Sequence, residues 1–270
     1  MRRPTVFAAA TAALLCALLA GCGPRHAKPL AAAEPAPSST PVDYLSPPEL
    51  SVAARAADGT ATLSGVARPG AVLRLAAPDG TAIGATAGAS GAWTLVAPAT
   101  AAPRLYSLSE IADGRMVRAR GYIAILPAPG AVAVMLRPGG AAEPLSGGGR
   151  TSVATVDLDR SGAAVVGGQA RPGEAVHLKL DGADAGEDQA NARGVFAVSL
   201  SNNLGAGPHL LAASTPSGQA SAAFNAAPAD RIDHPPFDAA RVGSAWRIDW
   251  MAPGGGVQTT IVFDPPGAAG

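Results

Sequence analysis

Cysteine, aromatic residues and lysine are all scarce in this sequence. Of its 270 residues, two are cysteine and 4% are aromatic, and Lys28 and Lys179 are the only lysines. With so few cysteines, a disulfide framework is excluded. Stability must therefore come from packed cores, built mainly from aliphatic and small side chains.

Neither sign of charge dominates the chain. It has 20 Lys+Arg and 20 Asp+Glu, and no basic block. This balance argues against nucleic acid or an anionic surface as the partner. A phosphate-binding loop would need a lysine after its glycines, whereas Gly147 to Gly149 are followed by Arg150 and Thr151. We therefore expect no cofactor.

Long hydrophobic runs are also rare. Val6 to Ala20 is dominated by alanine and leucine and follows Arg2 and Arg3. It is too short for a good spanning helix, which needs about 20 apolar residues, and it has the layout of a secretory signal peptide. The run from Tyr122 to Leu136 is interrupted by proline and glycine, so it predicts a hairpin rather than a membrane span.

The residues that close the N-terminal run are Leu19-Ala20-Gly21-Cys22. They resemble the lipobox of bacterial lipoproteins. The resemblance implies cleavage between Gly21 and Cys22, lipidation of the Cys22 thiol, and acylation of the new amine. Several acyl chains would give stable anchoring, since one chain binds a membrane only marginally. The alternative is an ordinary secretory signal in which Cys22 occurs by chance.

In Gram-negative lipoproteins, the residue after the lipidated cysteine influences sorting. Here it is Gly23 rather than aspartate, which by resemblance favours the outer membrane. We expect the protein to face the periplasm, with the cell surface as the alternative. Cys16 would be removed with the signal peptide, so Cys22 would be the only cysteine left and no internal disulfide could form.

Composition divides the rest of the chain. The stretch after Cys22 is rich in alanine and proline, which is typical of an extended, semi-rigid tether. From Glu49 onward, short alternating runs are separated by Gly, Pro and Asp, as in a β-sandwich. The predicted order is signal peptide, tether, sandwich, Gly-rich linker, and sandwich with a C-terminal hairpin: 1–21, 22–48, 49–140, 141–150 and 151–270. The alternative for 141–150 is a long loop inside one domain.

An internal repeat supports two sandwiches. Gly65 to Gly70 (GVARPG) matches Gly168 to Gly173 (GQARPG), and Gly-Ala-Trp93 matches Gly-Val-Phe196. A period near one hundred residues indicates two domains rather than a solenoid. Pro-Gly supplies a turn whose second residue can adopt positive φ, and a following Asp-Gly makes the next hairpin.

These turn and aromatic patterns resemble the immunoglobulin-like domains of bacterial envelope and surface proteins. The resemblance implies an all-β fold with two immunoglobulin-like sandwiches, and it implies no particular function. The residues expected to form turns or core are Pro69, Gly70, Trp93, Pro172, Gly173, Phe196, Trp246 and Trp250.

The C-terminal residues Trp246 to Phe263 predict a hairpin. If its loop is the four residues 253–256, Trp246 pairs with Phe263 and Ile248 with Ile261. That register places all apolar residues on one face, which we expect to pack on the second sandwich alone. Removal of this hairpin would then unfold the second sandwich and leave the first intact.

Two acidic stretches are candidate calcium sites. Asp157 to Gly162 resembles the first half of an EF-hand loop, but its twelfth position is Gly168 rather than glutamate. The second stretch holds four carboxylates, Asp181, Asp184, Glu187 and Asp188. Hairpin turns and an exposed loop explain both stretches more simply, so we expect no metal.

Catalytic chemistry has little support. The histidines are scattered, and Asp233 and His234 are adjacent but have no serine in a nucleophile elbow. We therefore expect no catalytic residues and no enzyme activity. The sequence predicts a lipid-anchored cell-envelope protein that acts as a structural, adhesive or assembly module, with the membrane and an unknown envelope protein or glycan as partners. The alternatives are a glycan- or peptidoglycan-binding lipoprotein and an enzyme with an unrecognised site.

Overall fold

A computed structural model describes residues 45–145, 149–229 and 231–265. Within these ranges the chain folds entirely into β-strands, turns and loops, and no helix there could cross a membrane. The all-β prediction is confirmed. The strands are β1 (Glu49–Arg55), β2 (Ala61–Val66), β3 (Val72–Ala76), β4 (Ala82–Thr86), β5 (Ala92–Ala97), β6 (Arg104–Ala112), β7 (Arg115–Ile125), β8 (Ala133–Leu136), β9 (Glu143–Pro144), β10 (Ser152–Asp159), β11 (Ala164–Gln169), β12 (Ala175–Leu180), β13 (Ala183–Gln189), β14 (Val195–Ser199), β15 (Gly207–Thr215), β16 (Gly218–Ala226), β17 (Phe237–Val242), β18 (Ala245–Met251) and β19 (Val257–Phe263).

Each half of the described chain contains an immunoglobulin-like β-sandwich, as the sequence predicts. In the first half, the sheet β1-β2-β5 packs on the sheet β4-β3-β6-β7-β8-β9. In the second half, β14-β11-β10-β19-β18-β17 packs on β13-β12-β15-β16. All pairings are antiparallel. The side chains at the centre of each core are almost fully buried: Leu63, Leu73, Leu75, Trp93 and Leu108 in the first, and Leu158, Leu178, Phe196 and Leu211 in the second.

The repeat has a steric basis at one glycine in each half. Gly65 on β2 lies against the ring of Trp93, and Gly168 on β11 lies against the ring of Phe196. A Cβ at either glycine would overlap that ring and the carbonyl oxygen of the neighbouring strand, Glu49 or Ser152. The large aromatic residue and the small residue beside it are therefore one packing unit, used twice.

We expect Gly168→Ala to lower the free energy of unfolding by about 2–3 kcal/mol, because the added methyl has no space between Phe196 and the backbone of Ser152. Urea denaturation would measure the change. Gly205→Ala is the matched control, since its Cβ would have no neighbour within 4 Å, and it should leave stability unchanged or slightly raised. Equal effects of the two substitutions would contradict this packing account.

The predicted hairpin within Tyr122 to Leu136 is confirmed. The end of β7 pairs with β8, with Tyr122 opposite Leu136 and Ile125 opposite Ala133. This pairing extends the first sandwich by covering the outer edge of β7.

The register predicted for the C-terminal hairpin is wrong by one residue. Phe263 pairs with Ala245 rather than Trp246, and Ile248 pairs with Thr260 rather than Ile261. The loop has five residues, 252–256, and is closed by hydrogen bonds between Ala252 and the glycines at 255 and 256. The extra loop residue shifts every pair, so the apolar side chains are divided between the two faces of the hairpin.

Both faces of this hairpin are nevertheless covered. Ala245, Ile261 and Phe263 join the core of the second sandwich. Ile248, Trp250 and Val262 point the other way and pack on β6, β7 and β8 of the first sandwich. We call this second cluster the seam; its buried members are Leu105, Ala124, Leu126, Ala131, Val134, Leu136, Ala142, Ile248, Trp250 and Val262.

The range 141–150, predicted to be a linker, starts inside the first sandwich. Glu143 and Pro144 form β9, and residues 142–145 are buried. Leu145 accepts a hydrogen bond from Ala53 N–H and donates one to Ala133 O, at 2.7 and 3.1 Å. The glycine-rich residues 146–148 lie outside the described part of the chain.

Candidate functional site

The predicted cleavage and lipidation residues, Gly21 and Cys22, lie outside the described residues, as do the signal peptide and nearly all of the tether. The structure therefore bears only on the candidates that follow residue 44. These are the acidic stretches, the histidines, the aromatic residues, and surfaces that the sequence did not indicate.

The two carboxylates of the Asp157 stretch have separate structural roles. Asp159 closes a turn by accepting hydrogen bonds from Ser161 N–H at 2.8 Å and Ala163 N–H at 3.0 Å. These bonds, together with the bond from the Ser161 hydroxyl, outweigh burial and lower the pKa of Asp159. Asp157 is 2% exposed and lies at the interface between the two sandwiches. The two side chains do not converge on one point.

The second acidic stretch is spread along the edge strand β13. Asp184 lies 4.0 Å from Lys179, Glu187 lies 3.4 Å from His177, and Asp188 accepts a hydrogen bond from Ala197 N–H at 2.8 Å. Among the described residues, no group of three or more His, Cys, Asp or Glu side chains could hold a metal ion.

We expect that neither millimolar calcium nor a chelator shifts the melting temperature, because only a ligand that binds the native state stabilises it. Differential scanning calorimetry with and without each reagent would test this. A calcium-dependent rise of several degrees, lost in Asp159→Asn, would show instead that the turn binds the ion.

The histidines of the second sandwich are paired with carboxylates. His209 Nδ1 lies 2.8 Å from Asp181, and this hydrogen bond raises the pKa of His209 and lowers that of Asp181. His234 Nδ1 lies 3.0 Å from Asp238, rather than beside a serine nucleophile. Both arrangements fix turns at the surface.

The predicted core aromatic residues lie in three different places. Trp93 and Phe196 are in the two sandwich cores, and Trp250 is fully buried in the seam. Trp246 is half-buried at the seam margin under the guanidinium of Arg241, 5.5 Å from its ring centre. None of the three tryptophans forms an open platform of the kind that carbohydrate binding uses.

The predicted turn residues Pro69, Gly70, Pro172 and Gly173 are exposed, and Gly70 and Gly173 have positive φ.

Sequence reasoning missed the polar network at the seam. The Trp250 indole N–H donates to Thr260 Oγ1 at 3.0 Å, and the Thr260 hydroxyl donates to Asp157 Oδ1 at 2.5 Å. The second carboxylate oxygen of Asp157 accepts from the backbone N–H of Ala142 at 2.6 Å. Asp157 thus links Ala142, the residue before β9 of the first sandwich, to the sheet of the second. Burial raises its pKa to about 7, against the opposing effect of these hydrogen bonds.

Two half-exposed arginines that share one buried carboxylate lie beside this network. Glu143 is 4% exposed and accepts from Arg137 in the first sandwich and, at 2.5 Å, from Arg193 in the second. Gly139 N–H donates to Gln258 Oε1 at 3.1 Å across the same boundary. Three sets of polar contacts therefore fix the relative position of the sandwiches.

The repeat position Arg68/Arg171 differs between the halves. Arg68 forms an ion pair with Asp113 at 3.0 Å, and its backbone N–H donates to the buried Glu110. Arg171 is exposed, and no ion pair joins it to another described residue. Its guanidinium is therefore available at the surface of the second sandwich.

Arg171 borders a groove of about 770 Å³ beside the edge strand β16. One wall consists of residues 217–223, and the other consists of residues 149–153 with Ser244 and residues 263–265. The groove contains two arginines, several hydroxyl groups and backbone. No sequence motif marks this groove.

No protein-family model matches the chain, and no curated protein sequence matches it. Two solved structures are similar. One, described as "Biofilm associated protein - BSP domain", is 14% identical over 68% of this chain, with a TM-score of 0.25. The other, described as "Central Fibronectin-III array of RIM-binding protein", is 12% identical over 77% of this chain and 80% of that chain, with a TM-score of 0.27. This chain covers 30% of the first of these.

Proposed function

We propose that the chain is a lipoprotein, anchored through Cys22 in the outer membrane, that acts as a non-catalytic structural or assembly module of the cell envelope. The single observation that carries the module role is the seam. Trp250 and Ile248 are both 0% exposed there, between the two sandwiches. Two sandwiches joined in this way form one rigid spacer rather than two domains that move independently.

The anchor is supported by the sequence around Cys22. The 26 residues 23–48, rich in proline and alanine, separate this cysteine from β1. Such a segment would hold the sandwiches away from a membrane surface. The module would then present its surfaces to other envelope components from a fixed position.

The anchor is tested by metabolic labelling with a fatty-acid analogue. We expect the wild-type protein to be labelled and to fractionate with membranes, and Cys22→Ser to be unlabelled and released. Cys16→Ser is the matched control and should behave as the wild type, since Cys16 lies in the segment that is removed. Equal labelling of the Cys22→Ser variant would refute the anchor.

The module role is tested by crosslinking in cells. The intact protein should be captured with the same envelope partner in repeated experiments. The Cys22→Ser variant should capture much less of that partner, because it is no longer held at the membrane. A product formed from a small-molecule substrate by the purified protein would refute a purely structural role.

A further inference from the structure

The strand β16 leaves one edge of the second sandwich unpaired. It ends the sheet β13-β12-β15-β16, and among the described strands its one partner is β15. The corresponding strand of the first sandwich is β7, which follows β6 as β16 follows β15. There β8 pairs with the last four residues of β7, Tyr122–Ile125. The first sandwich thus shows that part of this edge of the fold accepts another strand.

In the second sandwich, the six-stranded sheet extends past β16 and could support an added strand. β10 faces β15 and β16 across the core, whereas β19, β18 and β17 continue the opposite sheet beyond that point. Sheet β13-β12-β15-β16 therefore stops short of the sheet that it covers. Phe263, which is buried in the core, and Ser244, in the exposed turn before β18, both line the groove beside β16.

The groove follows the backbone edge of β16 and not one of its faces. It is lined by every residue from Gly218 to Ala223. Successive side chains of a strand point to opposite faces, so only a channel beside the strand contacts all six. Six residues at a rise of about 3.3 Å give an open edge of about 20 Å.

Residues on β16 do not protect this edge. Its exposed side chains between Gly218 and Ala223 are small or polar, with no proline, no charge and no bulge. The opposite edge of the same sheet, β13, has a bulge and carries Asp184, Glu187 and Asp188. Charges and bulges are the usual means by which proteins block strand addition at an edge.

The charge around the groove is net positive, although Glu174 at its margin accepts a hydrogen bond from the lining residue Ser217. Arg150 and Arg171 line it, and no ion pair joins either of them to another described residue. The one acidic side chain in the lining, Asp264, is neutralised by Arg241, whose Nη1 lies 3.0 Å from its Oδ1. A segment that occupies the groove is therefore favoured when it carries carboxylates.

We propose that an extended acidic peptide segment of an envelope partner adds to β16 as a fifth strand of this sheet. Backbone hydrogen bonds to β16 would provide the pairing, and Arg150 and Arg171 would select for acidic side chains. A second copy of β16 fits less well, because the strand has no acidic residue to meet these arginines. The proposal names the partner class for the module role and does not depend on the lipid anchor, so a negative labelling result would leave it standing.

The test uses the purified full-length protein in detergent and a fluorescent eight-residue peptide of alternating valine and glutamate. We expect saturable binding by fluorescence anisotropy, and no binding of the peptide with lysine in place of glutamate. Strand addition uses the N–H groups of alternate residues. Of two peptides N-methylated on alternate residues in the two registers, at least one should therefore lose binding.

The protein variants separate this groove from general charge attraction. Arg150→Glu/Arg171→Glu should weaken binding at least about tenfold. The matched control Arg74→Glu/Arg118→Glu changes two exposed arginines of the first sandwich and should stay within about twofold of the wild type. Ser221→Lys places an edge-blocking lysine on β16 and should weaken binding without a change in melting temperature.

Absence of binding, equal binding by both N-methylated peptides and the parent, or equal loss in the control variant would overturn the proposal. Sedimentation of the protein alone would identify the competing occupant. A dimer that Ser221→Lys dissociates would show that β16 pairs with a second copy and would also overturn it.

Discussion

Ile248→Asp is expected to unfold both sandwiches, not only the second. Ile248 is 0% exposed in the seam, where a carboxylate would be buried without a partner. Such a substitution costs about 4–5 kcal/mol or more, which is a large part of the 5–15 kcal/mol that stabilises a typical domain. Loss of the seam also exposes Leu126 and Leu136, which are fully buried on the first sandwich.

Thermal unfolding followed by circular dichroism, with limited proteolysis at each temperature, would measure this. Met251→Asp is the matched control, because Met251 lies on the same strand but is 42% exposed. It should change stability by no more than about 0.5 kcal/mol. A variant whose first sandwich melts at the wild-type temperature would show that the seam contributes little to that half, as the sequence alone suggested.

The wild-type protein is expected to become less stable as pH rises from about 4 to about 7. Asp157→Asn is expected to abolish this change. An unfolded aspartate has a pKa of about 3.9, whereas burial raises that of Asp157 to about 7. Within this interval the folded protein binds more protons than the unfolded chain, so the free energy of unfolding falls as pH rises. Protonated Asp157 therefore contributes its full stabilisation below pH 4 and none above pH 7.

A difference of three pKa units corresponds to about 4 kcal/mol. Urea denaturation at unit steps from pH 4 to pH 8 would measure the slope. The quantity to compare is the difference between the slopes of the wild type and the variant, because the two proteins share every other titrating group. Asp184→Asn is the control, since its carboxylate is exposed, and it should keep the wild-type slope. An unchanged slope in Asp157→Asn would contradict the assignment.

The turns of this protein could be predicted because each depends on local chemistry. Pro-Gly and Asp-Gly at repeat positions have the positive φ at glycine that the sequence required: Gly70, Gly80, Gly173 and Gly182. The aromatic residue that follows is buried in each half. The turns and the β-sandwich class could therefore be predicted from local sequence patterns.

The seam could not be predicted in the same way. The register of β18 and β19 depends on a loop that is one residue longer than assumed, and alternation cannot show that both faces of a strand are buried. A signal was present, however. Residues 259–263 (TTIVF) and 122–126 (YIAIL) are continuous rather than alternating, which is typical of strands covered on both sides.

The groove beside β16 has no such signal. It depends on where one sheet stops relative to the other, and on Arg171 having no counterpart of Asp113. Asp157 is likewise one of several polar residues in β10, and no local pattern distinguishes it from the others. Both features arise from tertiary arrangement, which the order of residue types does not specify.

The seam also determines when the first sandwich can be completed during synthesis. The apolar outer face of β7 and β8 leaves the ribosome more than one hundred residues before β18 and β19, which cover it. The first sandwich is therefore incomplete until the last strands have been synthesised, and until then it exposes a surface suited to aggregation. Chains truncated before β18 would retain that surface permanently, and chaperones and proteases would recognise them by it.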